Sequence, residues 1–413
     1  MNPLTQALET RFDAMAPELL AIYRDLHRHP ELSMQEHRSA GIAADYIGKL
    51  GYEVTREVGL TGVVGVLRNG EGATVMLRAD MDALPMDEDT GLPYASRVPG
   101  VAHSCGHDLH MAWLMGAAQV LAEARDAWRG TAVVVFQPGE EVAQGAAAMV
   151  ADWDGAGLPR ADVVLGQHVM VGAAGTVSYR TGVMLSAGDS LQVTLFGRGS
   201  HGSEPHTSVD PVVMAASTVL RLQTIVAREV SPFDSAVLTV GSLQAGTREN
   251  IIPEQAVLKL NLRTYDDGVR EHILGAVRRI CCAEADASGA PRPPEFATLS
   301  RYPLTLNDPA ATARVAEAFS AQFGDAAYQR QPSAASEDFS EFGRAWGAPS
   351  VFWFVGGTDP ATWEAARAAG RIRDIPSNHS PRFAPVLDPT LKTGLQAMLT
   401  AASAWLCAAA PSA

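Results

Sequence analysis

The 11 histidines of this 413-residue chain are unevenly placed, and His103, His107 and His110 share the stretch HSCGHDLH with Cys105. Cysteine, histidine and carboxylate are the ligands of borderline-soft divalent metals. Cys105 and His107 lie two apart just before an expected helix, where a loop can aim both at one point. Two other readings exist: a helix N-terminus capped by Asp108 with incidental histidines, and a Cys–His nucleophilic pair. The second would need an orienting partner and an oxyanion hole, and no cysteine-hydrolase signature accompanies it. Glu140 and Glu141 follow Pro138-Gly139. Adjacent carboxylates repel unless a cation sits near them, and neighbouring residues point to different sides. One can therefore hold metal while the other faces substrate; the bland alternative is an acidic helix start. His168 follows Gly166-Gln167, Asp80 and Asp82 stand in LRADMDALP, and His379 stands in SNHSPRF.

These clusters need elements to carry them. Short apolar runs at Ala73–Leu77, Ala132–Phe136 and Val163–Leu165 read as strands buried on both faces. The first ends at the two aspartates, the second at Glu140-Glu141, the third at His168. An Ala/Leu/Met-rich helix from about Leu109 to Ala124 follows the Cys/His cluster. The first 50 or so residues read as two helices, with Leu19, Ile22, Tyr23 and Leu26, then Ile42, Tyr46, Ile47 and Leu50, at helical spacing. Strands alternating with helices predict an α/β fold with a mainly parallel sheet, whose carboxyl edge is where sites assemble. The α/β pattern resumes towards the C-terminus with an apolar strand at Ser350–Val355, with Phe352, Trp353 and Phe354 read as core rather than pocket.

Residues 186–298 follow a different pattern. Leu191, Val193 and Leu195 alternate with polar residues, as do Leu258, Leu260 and Leu262. With helices at Pro211–Arg228 and about Val269–Ala285, and strands at Ala236–Ser242 and Glu295–Leu299, the order is β-α-β-β-α-β, a ferredoxin-like α+β arrangement. The chain thus reads as a discontinuous catalytic domain, 1–185 and 299–413, with 186–298 inserted.

Composition narrows the function. Acidic residues outnumber basic ones by 46 to 32, a net charge of −14, which disfavours nucleic acid and anionic membrane surfaces. No run approaches the ~18 apolar residues that span a bilayer. The N-terminal residues lack the basic and apolar regions of a signal peptide. The four cysteines, two of them adjacent, suit a reducing compartment, so a cytoplasmic location is expected.

Nine stretches together resemble the amidohydrolase branch of the M20 metallopeptidase superfamily, which includes hippurate and other N-acyl-amino-acid hydrolases and auxin-conjugate hydrolases. They are RDLHRHPELS (24–33), LRADMDALP (77–85), HSCGHDLHM (103–111), FQPGEE (136–141), GQHV (166–169), GRGSHGSEPHTSVDP (197–211), NIIP (250–253), SEDFS (336–340) and NHSPRF (378–383). The resemblance implies two divalent ions per subunit (Zn, Mn, Co or Ni) held by Cys105, His107, Glu141, His168 and His379. It implies Glu140 as general base and Asp82 as the carboxylate orienting a ligand. The inserted domain becomes a lid and dimerisation domain, with His206 and Asn250 reaching an active site and His206 supplied by the partner subunit. Arg263 is matched to the substrate carboxylate. Leu109 departs from the family's usual small residue. The implied reaction is hydrolysis of an N-acyl amino acid, a small-molecule substrate, by a homodimer or tetramer; a dipeptidase and a non-catalytic metal or amino-acid binder are the alternatives.

Overall fold

The computed structural model describes residues 2–407; Met1 and residues 408–413, the outer ends of the expected catalytic domain, lie outside the described residues. The chain divides into two units. Unit one comprises residues up to Met184, Leu306–Pro332 and the chain from Asp338; unit two comprises Leu185–Thr305 and Ser333–Glu337.

Unit one opens with α1 (Pro3–Arg28) and α2 (His37–Lys49), then β1 (Glu53–Val58), β2 (Gly62–Asn69), β3 (Thr74–Asp80), α3 (His107–Glu123), β4 (Gly130–Gln137), α4 (Gly145–Trp153), β5 (Val163–Ala173) and β6 (Val177–Tyr179). After β7 (Gly182–Leu185), unit two runs β8 (Ala187–Phe196), β9 (Ser200–His201), α5 (Pro211–Arg228), β10 (Ala236–Ala245), β11 (Ile251–Ile252), β12 (Gln255–Thr264), α6 (Asp267–Ala287) and β13 (Glu295–Tyr302). The remainder follows as β14 (Thr305–Asn307), α7 (Pro309–Phe323), β15 (Ala327–Gln329), α8 (Ser340–Trp346), β16 (Ser350–Thr358), α9 (Pro360–Ala368) and α10 (Thr390–Leu406).

Three helices start on the same dipeptide. Asp210-Pro211, Asp308-Pro309 and Asp359-Pro360 put an aspartate at the N-cap, where its carboxylate accepts backbone N–H groups of the first turn. Proline follows where its missing N–H costs nothing and its φ already suits the helix.

The main sheet has the order β1-β2-β4-β3-β5-β16-β6-β15. Its centre, β4-β3-β5-β16, is parallel throughout, as the continuous apolar runs predict. The β1–β2 hairpin, antiparallel to itself and to β4, extends one side. The sheet and helices α1, α3 and α10 bury one large apolar core that includes Leu19, Trp113, Phe136, Trp353 and Leu395. Phe352, Trp353 and Phe354 are at most 2 % exposed, hence core. Strand β5 runs past its expected end near Leu165 to Ala173, because β16 stays paired alongside it, Phe354 opposite His168. Neighbouring β3 pairs with β5 only as far as Arg78 opposite Gly166. His168 therefore sits within a strand, two residues past the last pair with β3.

Unit two is a four-stranded antiparallel sheet, β10-β12-β8-β13. Leu191, Val193, Leu258, Leu260 and Leu262 bury one of its faces against α5 and α6. Beneath it, Arg270 grips Asp189 with two donors, 2.8 and 2.9 Å.

Candidate metal centre

Three backbone devices of unit one bring the chemistry-bearing residues together. The end of β3 carries Asp80 into the core, and the loop after it carries Asp82, both 0 % exposed. After β4, Gly139 takes a left-handed conformation (φ 54°) and a single 3-10 turn, Glu140–Val142, presents both glutamates. Before α3, Gly106 takes φ 96°, and a β-carbon there would lie 2.4 Å from a Val169 methyl. Only glycine allows this turn. It makes Gly106 the N-cap, so α3 starts at His107, two residues earlier than its composition suggested. Asp108 lies inside the first turn and is not its cap.

Asp82 ties two of these devices to each other. Its Oδ1 accepts from the backbone N–H of Glu140 (3.1 Å) and faces His107 Nδ1 (3.3 Å). Its Oδ2 accepts from the N–H of Glu141 (3.0 Å) and the Ser33 hydroxyl (2.6 Å). One carboxylate thus fixes the His107 ring and the glutamate turn together, and leaves His107 Nε2 facing inward.

The remaining candidates meet there. His107 Nε2 lies 3.9 Å from Glu141 Oε1, which lies 3.2 Å from His379 Nε2. Cys105 Sγ is 3.3 Å from His168 Nε2. Single donor atoms of Cys105, Glu141 and His379 all lie within 4.8 Å of one another, and so do those of His107, Glu140 and Glu141. Glu141 is common to both groups. His379 is held by its N–H on the Ser104 carbonyl (2.8 Å). Asn378 beside it donates to the carbonyls of Cys105 and Val169, each 3.0 Å.

The electrostatics call for a cation. Burial pulls the His107 imidazolium down, yet Asp80, Asp82 and Glu141 outweigh it and raise its pKa to about 10. Burial pushes the Cys105 thiol up, and Glu141, Glu140 and Asp80 push the same way. Burial, then His110, holds His168 well below the usual range, so its ring is neutral. His168 donates Nδ1–H to the Val169 carbonyl (2.7 Å), which leaves the Nε2 lone pair towards Cys105. A thiol held protonated among carboxylates is a poor nucleophile, so these groups do not form an activated Cys–His pair. Two buried polar atoms, His107 Nε2 and Glu141 Oε1, lack a hydrogen-bond partner. A divalent cation fits this thiol, imidazole and carboxylate set: it would satisfy both orphans and stabilise the thiolate.

Not every histidine of the motif takes part. His110 uses Nδ1 on Asp80 (2.6 Å) and Nε2 as acceptor for the Val169 N–H (2.9 Å), so neither nitrogen is left for a metal. His103 is buried near His27, the ring centres 6.4 Å apart. Ser33 and Asn378 stand in stretches singled out by sequence but carried no signal of their own, being generic polar residues. His206, Asn250 and Arg263 all lie in unit two. His206 is exposed in a 3-10 turn, Asn250 is exposed beside β11, and Arg263 on β12 bonds Asn261 Oδ1 (3.2 Å) and the Ser336 hydroxyl.

Comparison with known proteins comes to the same chemistry. Residues 76–371 match the model of peptidase family M20/M25/M40. Hippurate hydrolase of Campylobacter jejuni is 37 % identical over 332 residues, 79 % of this chain and 85 % of that protein. An N-acetylcysteine deacetylase of Bacillus subtilis is 32 % identical over 85 % of this chain and 91 % of its own length. The crystal structure of Bacillus subtilis YXEP, described as a dinuclear metal-binding peptidase of the M20 family, superposes with a TM-score of 0.75 at 28 % identity. It covers 95 % of this chain and 99 % of that one.

Proposed function

The chain belongs to peptidase family M20/M25/M40 and is a metal-dependent hydrolase of amide bonds; from that premise we propose that it cleaves N-acyl amino acids, with acetyl, benzoyl or related acyl groups, to a carboxylic acid and a free amino acid. The observation that carries this reading is the Glu140–Glu141 turn. Asp82 holds both backbone N–H groups, and the two carboxylates meet different neighbours.

In this reading Cys105, His107, Glu141, His168 and His379 hold two divalent ions, with Glu141 common to both donor groups. Bound ions of this type polarise an amide carbonyl and make water a nucleophile near neutral pH. Glu140 takes the proton from the attacking water and passes it to the departing amine. Asp82 keeps His107 in the tautomer whose Nε2 is open. His206 donates to the developing oxyanion from unit two, Asn250 helps bind substrate, and Arg263 pairs with the substrate carboxylate. Unit two serves as lid and as the contact of a homodimer or tetramer. The cytoplasm is the proposed location: the four cysteines are all free, and no helix among the described residues is long and apolar enough to cross a membrane. The ion is one of Zn²⁺, Mn²⁺, Co²⁺ or Ni²⁺, all compatible with mixed N, O and S donors.

A hydrolysis screen tests the proposal, using N-acetyl, N-benzoyl and indole-acetyl amino acids and dipeptides with added Mn²⁺, Zn²⁺ or Co²⁺. Turnover of acyl substrates, lost on chelation and regained with metal, is expected. Turnover of dipeptides alone would make the enzyme an exopeptidase. Stoichiometric metal without any turnover would make it a binder.

A further inference from the structure

Beside the metal centre a cationic side chain is buried as well, Arg78 on β3, 1 % exposed. Its Nε donates to Gln137 Oε1 (2.8 Å), one terminal nitrogen to Asp80 Oδ2 (2.7 Å) and the other to Asp338 Oδ1 (3.3 Å). Asp338 is also held by the Gln137 side-chain amide (2.6 Å) and the Ala146 N–H (3.1 Å). The reaction proposed above does not use these groups.

A chain of contacts nevertheless leads from Arg78 to a candidate ligand. Arg78 occupies Oδ2 of Asp80, so Asp80 turns Oδ1 to His110 (2.6 Å). A carboxylate oxygen only accepts, so His110 carries its proton on Nδ1. Its Nε2 is then the acceptor that the Val169 N–H requires (2.9 Å). The other end of the same residue, the Val169 carbonyl, accepts from His168 Nδ1 (2.7 Å). Carboxylate and carbonyl oxygens only accept and the Val169 N–H only donates, so both rings are held in one tautomer, and linked dipoles strengthen one another. The last link leaves His168 Nε2 as a bare lone pair 3.3 Å from Cys105 Sγ.

Arg78 also keeps Asp80 from acting as a ligand. Asp80, His107, His110 and His168 could by spacing hold an ion of their own, and Asp80 Oδ2 lies 3.6 Å from His107 Nε2. Arg78 and His110 occupy both Asp80 oxygens, and Asp80 and Val169 occupy both His110 nitrogens. That grouping is closed as built.

We infer that Arg78 is a positioning residue for the metal centre: through Asp80 it holds the His110 ring, whose centre lies 4.4 Å from that of the candidate ligand His168, and by occupying Asp80 it keeps that carboxylate out of the coordination set. The inference rests on the metal-centre reading above and extends it to residues that touch neither metal nor substrate.

The test uses full-length apo-protein, because removing Arg78 outright strands two buried carboxylates and endangers folding. Asp80→Asn is nearly isosteric but cannot serve both neighbours. An amide that accepts from His110 turns its NH₂ to Arg78, and one that accepts from Arg78 turns its NH₂ to His110. Arg78→Lys keeps the charge and loses the fork. Metal affinity is read by competition with a chelating dye, and the histidine tautomers by ¹⁵N NMR of the apo forms. Asp80→Asn should bind Zn²⁺ about 10–100-fold more weakly than wild type, and the His110 ring signals should report the loss of its carboxylate partner. Arg78→Lys should weaken binding less. Melting curves of the apo-variants must show cooperative unfolding, and a melted Asp80→Asn leaves Arg78→Lys as the deciding variant. Wild-type affinity in the folded variants would overturn the role of Arg78. His168→Ala, run alongside, separates the two ideas: if it too binds Zn²⁺ as wild type does, the metal-centre reading itself fails.

Discussion

At the scale of single residues, what matters is that two chemically identical glutamates have different neighbours. Both leave one 3-10 turn, and Asp82 accepts from both backbone N–H groups. Glu141 Oε1 sits between His107 and His379. Glu140→Gln should therefore lower kcat by about 10²–10⁴ while metal content, measured by elemental analysis, stays near wild type. If this variant loses metal and Glu141→Gln keeps it, the two roles must be exchanged. Cys105→Ser probes the other donor type. It should weaken metal binding in an apo-titration, and added metal should slow alkylation of the wild-type thiol. Finding an acyl group trapped on Cys105 by mass spectrometry would refute a ligand role.

At the scale of elements, α3 organises unit one. It is buried almost all round, and its first turn carries His107, Asp108 and His110. Helix α1 clamps that turn: His27 Nδ1 meets Asp108 Oδ2 at 2.7 Å, and His27 Nε2 meets Glu88 Oε1 at 3.2 Å. Burial lowers the His27 imidazolium, but Asp108 and then Glu88 more than compensate, raising its pKa from 6.5 to about 10. A raised folded-state pKa stabilises fully below about 6.5 and loses that contribution as pH climbs through about 10. The gap in melting temperature between wild-type apo-protein and His27→Gln should hence narrow from pH 7 to pH 10 in calorimetry. A constant gap would mean that His27 is uncharged in the folded protein. The same elements show what was legible beforehand. The parallel strands were readable because burial on both faces leaves an unbroken Val/Leu run. Cys105, His107, Glu141 and His168 drew attention as distinctive types at successive strand ends, whereas His379, uninformative by itself, became a candidate only through the family resemblance. The β1–β2 hairpin was missed: β1 (EVTREV) is largely polar and half-exposed, with no apolar run to betray it. The start of α3 was misplaced because Gly106 caps it by backbone conformation alone, which leaves no side-chain signal. Arg78, Ser33 and Asn378 were invisible for another reason: their roles exist only once distant strands and loops converge.

At the scale of the whole molecule, unit two offers the surface on which the proposed self-association depends. Val213 and Leu220 on α5 are 65 % and 74 % exposed, and Val237 and Leu243 lie exposed on β10, an edge of the four-stranded sheet. An edge strand beside exposed apolar helix residues is a surface that a symmetry mate can cover. If His206 then serves the partner's site, inactive Glu140→Gln and inactive His206→Ala protomers should complement after subunit exchange, because each heterodimer would hold one site with both residues intact. No recovery of activity after verified exchange would mean that His206 acts within its own chain or that unit two does not dimerise. The interrupted chain path of unit one has a consequence for synthesis. The apolar core of unit two lies wholly between Leu191 and Phe296, so it can condense as soon as that stretch leaves the ribosome. Unit one, begun earlier, waits for β16 and for α10, whose Lys392 and Gln396 bind Glu9 on the first helix. At about 5–20 residues per second, the guest is complete several seconds before its host. During that interval Cys105, His107, Glu141 and His168 are already made while His379 is not, so the nascent chain passes through a stage with an incomplete set of candidate ligands and an open core, when its apolar surface is most exposed to aggregation.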